Sequence, residues 1–300
     1  MHRTWIGVLA ALATGLGTAC GGAPAEDTSP TMAGAPAALA PADPLGGLVE
    51  GLASGRVEVV DLSQPLNDTT PVIQLPPPLA NTPGFSKQLI SEYDEAGPDW
   101  YWNTLSFGEH VGTHFDAPCH WASGRDEPCV DEIPAQAFVG PAAVVDVTAE
   151  VDADPDFVAT RAALLAWEAA HGPIPDRAWV ILRTGWGARG LDAEAFVNAD
   201  EQGVPHYPGW GRESAEFLTT ERNILGVGTE ALGTDAAVGA TASPAFPNHS
   251  IMHGAGKFGL TQLANVDLLP ETGAIIVATP LKIERGSGSP VRAIAMVPRD

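Results

Sequence analysis

Six apolar-rich stretches read as β-strands, several of them continuous apolar runs: "RVEVVDL" (56–62), "AAVVDV" (142–147), "AWVILRTG" (178–185), "NILGVG" (223–228), "GAIIVATP" (273–280) and "VRAIAMV" (291–297). Continuous runs of this length suit β-strands buried on both faces. Between them, "TRAALLAWEAAHG" repeats its apolar positions at helical spacing. Thr160 is placed to cap its start and Gly172 to stop it. "RESAEFLTTERN" (212–223) is a second helical pattern. Strands alternating with helices predict an α/β fold.

The start of the chain reads differently. "MHRTWIGVLAALATGLGTAC" places Arg3 before an apolar run too short and too Gly-interrupted to span a bilayer, which is the pattern of a secretory signal. Gly17, Thr18 and Ala19 ahead of Cys20 resemble the small-residue box of a bacterial lipoprotein, although Leu16 sits one position further back than usual. The expectation is a signal peptide over 1–20 with lipidation at Cys20, and ordinary cleavage nearby is the fallback. Residues 21–44, rich in Ala, Pro and Gly, cannot bury enough surface to order themselves and read as a tether. One domain over 45–300 follows, exported to the bacterial cell envelope. An oxidising compartment would permit Cys119 and Cys129 to pair, which sequence leaves open.

A formal charge of −22 across 300 residues excludes a nucleic-acid role, because a phosphate backbone demands a basic face and no basic stripe is present. The acidity reads as a solvated surface. A hydrophobic share of 45% is enough for a substantial core. Membrane association is expected only through the N-terminal lipid.

The candidate chemistry is concentrated in "EHVGTHFDAPCHW" (109–121), with His110, His114, Asp116 and His120 in eleven residues. Gly112, Thr113 and Pro118 break any continuous helix, so helical ligand spacing does not apply. An extended segment instead puts His114 and Asp116 on one side, two residues apart. His110 can join them around the bend at Gly112. Two imidazoles and a carboxylate suit a divalent first-row metal with positions open to water and substrate. The aromatic run "DWYWNTLSF" just upstream, with Trp100, Tyr101, Trp102 and Phe107, and Trp121 after the cluster, is expected to sandwich a flat aromatic substrate, although any one ring is by default core.

"HVGTHFDAPCHW" resembles the signature of the cyclase-type metal-dependent hydrolases, the group containing bacterial kynurenine formamidases and isatin hydrolases. The resemblance continues through "GVGTEALGTD" and the segment beginning "NHSIMHGAGKFGLTQLANVD". It implies a swivelling β/β/α single domain, homodimeric, with His110, His114 and Asp116 as metal ligands and His120 as the acid/base. His249 matches the histidine that either ligates a second metal or points into the site. Two-metal relatives carry a Glu twelve residues later, where this chain has Thr261. Without that acid only Asp116 is left to neutralise a pair of dications, so one ion, Mn2+ or Zn2+, is expected. His249 then orients substrate, and Thr261 or His249 steadies the oxyanion. The implied reaction is opening of a cyclic aromatic amide such as isatin. Arylformamidase activity on N-formylkynurenine is the enzymatic alternative, and an exported binding lipoprotein without catalysis is the alternative from another class.

Overall fold

The computed structural model describes residues 43–299 apart from Leu191. The signal peptide, Cys20 and the tether up to residue 42 therefore lie outside the described residues. The helices are α1 (Pro44–Ser54), α2 (Thr148–Ala153), α3 (Arg161–His171), α4 (Ala193–Val197), α5 (Arg212–Thr220) and α6 (Pro247–Gly254). The strands are β1 (Val57–Asp61), β2 (Ser86–Asp94), β3 (Gly97–Ser106), β4 (His114–Asp116), β5 (Val139–Asp146), β6 (Val158–Ala159) and β7 (Trp179–Arg183). They continue with β8 (Gly209–Trp210), β9 (Gly226–Thr229), β10 (Phe258–Thr261), β11 (Ile275–Val277), β12 (Gly288–Pro290) and β13 (Ile294–Pro298).

Nine strands form one mixed sheet in the order β1-β13-β11-β5-β7-β9-β10-β4-β12. Its centre, β5-β7-β9-β10, is parallel, and each crossover carries helices, as the alternation of patterns predicts. Both flanks are antiparallel. The chain is a mixed α/β domain.

The apolar runs are explained by burial on two sides. Trp179 and Ile181 of β7 point into one core with Phe115, Val144, Leu260 and Ile276, closed over by Val130, Ile133 and Phe138. Val180 and Leu182 point into the other, against Leu164 and Trp167 of α3, Phe217 and Leu218 of α5, and Met252 of α6. At about 1.5–3 kcal/mol for each large apolar side chain removed from water, these two layers are the main source of stability.

Thr160 caps α3 by accepting a hydrogen bond from the Ala163 N–H, and Gly172 ends it at a φ of 88°. The helix α1 was not legible. Asp43 caps it and Pro44 opens it, so ordered structure begins inside what reads as tether. No described helix is long and apolar enough to cross a membrane.

Candidate active site

Strand β4 is only three residues long, yet it fixes the site. It lies between β10 and β12, with Thr261 opposite His114 and both Gly259 and Gly288 opposite Asp116. Period-two alternation turns Phe115 into the core and leaves His114 and Asp116 on the other side, as the extended reading of the motif required. Gly112 turns the preceding chain at a φ of 61°, which a β-carbon would oppose, and so brings His110 back onto Asp116. Gly259 makes room of another kind, since a β-carbon there would lie 2.6 Å from Asp116 Oδ2.

The imidazoles are held from behind. His114 donates from Nδ1 to the Gly112 carbonyl at 2.7 Å, which leaves the Nε2 lone pair 3.3 Å from Asp116 Oδ1. The Ser287 hydroxyl donates to Glu109 at 2.5 Å and is 2.8 Å from His110 Nε2, so it accepts from that nitrogen. His110 Nδ1 is then free to face Asp116 Oδ1 at 2.8 Å. Such rear partners are what fix the tautomer of a metal-binding histidine. Burial alone would raise the pKa of Asp116, but His114 and His110 outweigh it and hold the carboxyl well below the usual range. A buried carboxylate flanked by two imidazoles fits a bound cation.

His120 follows in a 3-10 turn, Pro118–His120, whose neighbour Cys119 is bonded to Cys129. Its ring lies on that of His110, centroids 3.9 Å apart. Among the described residues its ring has no hydrogen-bond partner behind it, unlike His110 and His114. Burial, followed by the neighbouring His110, pushes its pKa well below the ordinary imidazole value, so it is neutral at physiological pH and able to take a proton. His110, Asp116 and His120 form one group whose ligand atoms lie within 4.8 Å of one another, so His120 is within ligand reach, whereas the expected ligand His114 is not part of that group although its Nε2 is 3.3 Å from Asp116 Oδ1.

Helix α6 contributes His249 and His253, one turn apart. Asp235 accepts from the N–H groups of Asn248 and His249 at the start of the helix and from His249 Nδ1 at 2.5 Å. Burial opposes a charge on His249, but Asp235 overcomes it and raises the pKa. His249 Nε2 stands 4.0 Å from Asp116 Oδ2. Thr261, fully buried, places its hydroxyl 3.0 Å from His114 Nδ1 and 3.2 Å from Nε2. Burial, then His249, pushes the pKa of His253 down to about 4.

These groups open into a cleft of about 280 Å³ walled by Ile73, Leu75, Trp121, Leu232 and Phe246. Trp121 lines it as expected. Trp100, Trp102 and Phe107 do not, which corrects the expected aromatic sandwich. The β2–β3 hairpin leaves Trp100, Tyr101 and Trp102 43%, 44% and 53% exposed and outside the cleft lining, and Phe107 stacks on Phe85. Sequence reasoning also missed Asp235, His253, Phe246 and the Glu109–Ser287 pair. A signal existed for one of them, because His249 and His253 are at i, i+4 spacing.

A mixed α/β domain brings histidines and a buried aspartate together in one cleft, an arrangement that could hold a metal ion. Residues 60–236 match the family described as "Putative cyclase", and the chain belongs to that family. It is 48% identical over 258 residues to the isatin hydrolase of Roseibium aggregatum, covering 85% of this chain and 97% of that one. A solved structure of an isatin hydrolase bound to the product analogue thioisatinate is 47% identical, with a TM-score of 0.82 over 85% of this chain and 98% of that one. The kynurenine formamidase of Paracidovorax citrulli is 28% identical over 246 residues, covering 79% of this chain and 96% of that one.

Proposed function

We propose that this protein is a metal-dependent hydrolase that opens the five-membered lactam of isatin, or of a close cyclic aromatic amide, to the ring-opened acid. The observation that carries the reading is a half-buried His120 ring lying on that of His110, beside the His110–Asp116 pair, in the wall of an apolar cleft. The 48% identity to an isatin hydrolase over most of both chains supports it.

His110, His114 and Asp116 would hold one divalent ion, Mn2+ or Zn2+, which supplies Lewis acidity that makes a water nucleophilic near neutral pH. The rear partners of His110 and His114 keep their inward nitrogens unprotonated for that purpose. His120 takes the proton of the attacking water and returns it to the departing ring nitrogen. His249, oriented by Asp235, presents Nε2 toward the cleft, where it donates to the developing oxyanion, and Thr261 beside His114 contributes to the same face. Trp121 and Phe246, ring centroids 5.8 Å apart, offer aromatic walls to a flat bicyclic substrate.

Formamidase action on N-formylkynurenine is the less favoured reading, given the 28% identity of that relative. A binding lipoprotein without catalysis has no use for a base beside the ligands. Steady-state hydrolysis of isatin and of N-formylkynurenine by the metal-loaded protein separates these readings: isatin is expected to be the faster substrate. Absence of isatin turnover would reject the proposal.

Two further assignments belong to the same reading. The exposed aromatic ribbon of the β2–β3 hairpin, with Leu89 and Leu105 also half exposed, is proposed as the contact of a homodimer, which sedimentation of Trp100→Ser/Trp102→Ser tests by loss of the dimer. Export with lipidation at Cys20, to the periplasmic or extracytoplasmic face, is in keeping with the Cys119–Cys129 disulfide. Mass spectrometry of the mature N-terminus checks it.

A further inference from the structure

The Cys119–Cys129 bond closes a loop with a sequence separation of 10, and both His120 and Trp121 lie inside it. The turn that carries His120 has few other ties. Its own backbone bonds are local, from the His120 N–H to the Ala117 carbonyl and from the Trp121 N–H to the Pro118 carbonyl. On one side the loop rests on α6. The Ser123 hydroxyl donates to the Ser250 carbonyl at 2.7 Å, and a β-carbon on Gly124 would lie 2.6 Å from the His253 carbonyl oxygen.

On the other side the loop meets Gly286 and Ser287. Cys119 Sγ lies 3.8 Å from the Gly286 carbonyl oxygen, and that oxygen accepts the Val130 N–H at 2.9 Å, one residue beyond Cys129. Ser287 comes next, its carbonyl accepting the Ala117 N–H and its hydroxyl standing behind His110. The disulfide therefore ties the two ends of the loop together beside the segment that supports His110.

His120 and Trp121 depend on this tie to different degrees. The Trp121 ring is packed against those of His249 and Phe246, with centroids 4.9 Å and 5.8 Å away, so α6 holds it independently. The His120 ring is stacked on His110 but lacks the hydrogen bond that orients His110 and His114. Stacking places a ring loosely, whereas a proton-transfer partner must come within about 2.6–3.2 Å of its target. A shift of about 1 Å can cost a hundredfold in rate.

We propose that the Cys119–Cys129 bond is a positioning element for His120, and that a dithiol reductant lowers hydrolysis by opening it. Cys129 is the open side, since residues 125–128 before it are exposed while Cys119 packs against the core. One thiolate of the reductant attacks Cys129 Sγ, and Cys119 leaves as a thiolate. The second thiolate of the reductant displaces Cys129 and closes the reductant's own disulfide. Two electrons and two protons pass to the protein, which ends with two thiols. The turn then keeps only its ties at Ala117 and Ser123, whereas His114 and Asp116 remain fixed in β4.

The inference rests on the preceding assignment of His120, and the experiment separates the two. The full-length protein is reduced with dithiothreitol under argon, desalted and reloaded with Mn2+. Isatin hydrolysis is compared with that of the oxidised protein, a reoxidised sample and Cys119→Ser/Cys129→Ser. Metal content, free thiols, circular dichroism and hydrogen exchange are measured on each. Reduction is expected to lower kcat more than about tenfold at equal metal content while KM changes less than about threefold, and reoxidation to restore kcat. The double serine variant should match the reduced form and ignore the reductant. Exchange should quicken in residues 117–124 and not in β5 or β7. A bond that only stabilises the fold would lower the melting temperature alone. Unchanged kcat in the folded, reduced protein, or a loss that reoxidation does not reverse, would therefore overturn the proposal. If the oxidised protein shows no isatin turnover, the preceding reading fails, and exchange decides the positioning claim: an unchanged rate in residues 117–124 would overturn it.

Discussion

Gly259→Ala adds one methyl group where the structure has no room for it. Gly259 pairs with Asp116 across β10 and β4, and the new carbon would lie 2.6 Å from Asp116 Oδ2 and 3.2 Å from both Asp116 Cβ and Thr234 Cγ2. Asp116 cannot simply move away, because Gly288 pairs on its other side and the His110 ring stands close over that residue. The strain of such overpacking is about 1–3 kcal/mol. If it is relieved by shifting the carboxylate, metal affinity falls by about 10–100-fold, since 1.4 kcal/mol is tenfold in a binding constant. Competition against a chromophoric chelator measures this directly. Gly226→Ala is the control: its β-carbon would lie 2.2 Å from the Phe258 carbonyl oxygen, in the same sheet but away from the carboxylate. It should lower the melting temperature without a comparable loss of metal affinity. A folded Gly259→Ala protein that binds metal within twofold of the wild type would refute the claim that these strands position Asp116.

Asp235→Asn removes the charge behind His249 and should lower kcat by at least about tenfold at unchanged content of the bound ion, read by steady-state kinetics with elemental analysis. His206 lies between Asp156, at 2.6 Å, and Asp200, at 3.5 Å, and the hydrogen bond to Asp156 raises its pKa. The stabilisation is full below the unfolded value of about 6.5 and is lost as pH rises through the folded value. The melting-temperature gap between wild type and His206→Ala should therefore shrink from pH 6 to pH 9. Replacing both Cys119 and Cys129 by Ala opens a loop with a sequence separation of 10 and should cost about 3 kcal/mol in urea denaturation, because that constraint on the unfolded chain is lost.

The parallel centre of the sheet was legible because β5 and β7 are buried on both faces and so carry unbroken apolar runs. The helix α3 was legible from its cap and its stop. Strand β4 gave no propensity signal, but the His-x-Asp alternation within it did, because the side chains of a strand alternate whatever its length. Proximity in sequence misled for Trp100 and Trp102. They precede the histidines by a few residues, yet an antiparallel hairpin turns them outward, and a run of aromatics reads the same on a cleft wall as on an exposed ribbon. Asp235 was invisible because its partner His249 is joined to it only by the start of α6. Family likeness points to His249 and Thr261 but not to His253, whose signal is its helical spacing from His249.

The proton-transfer role of His120 is the claim on which the rest depends. It is tested by comparing isatin hydrolysis by wild type and His120→Gln on samples of equal metal content. Loss of a positioned acid/base of this kind should lower kcat by about 10²–10⁴-fold while the bound ion is retained. Undiminished turnover in His120→Gln, at the same metal content, would contradict the account.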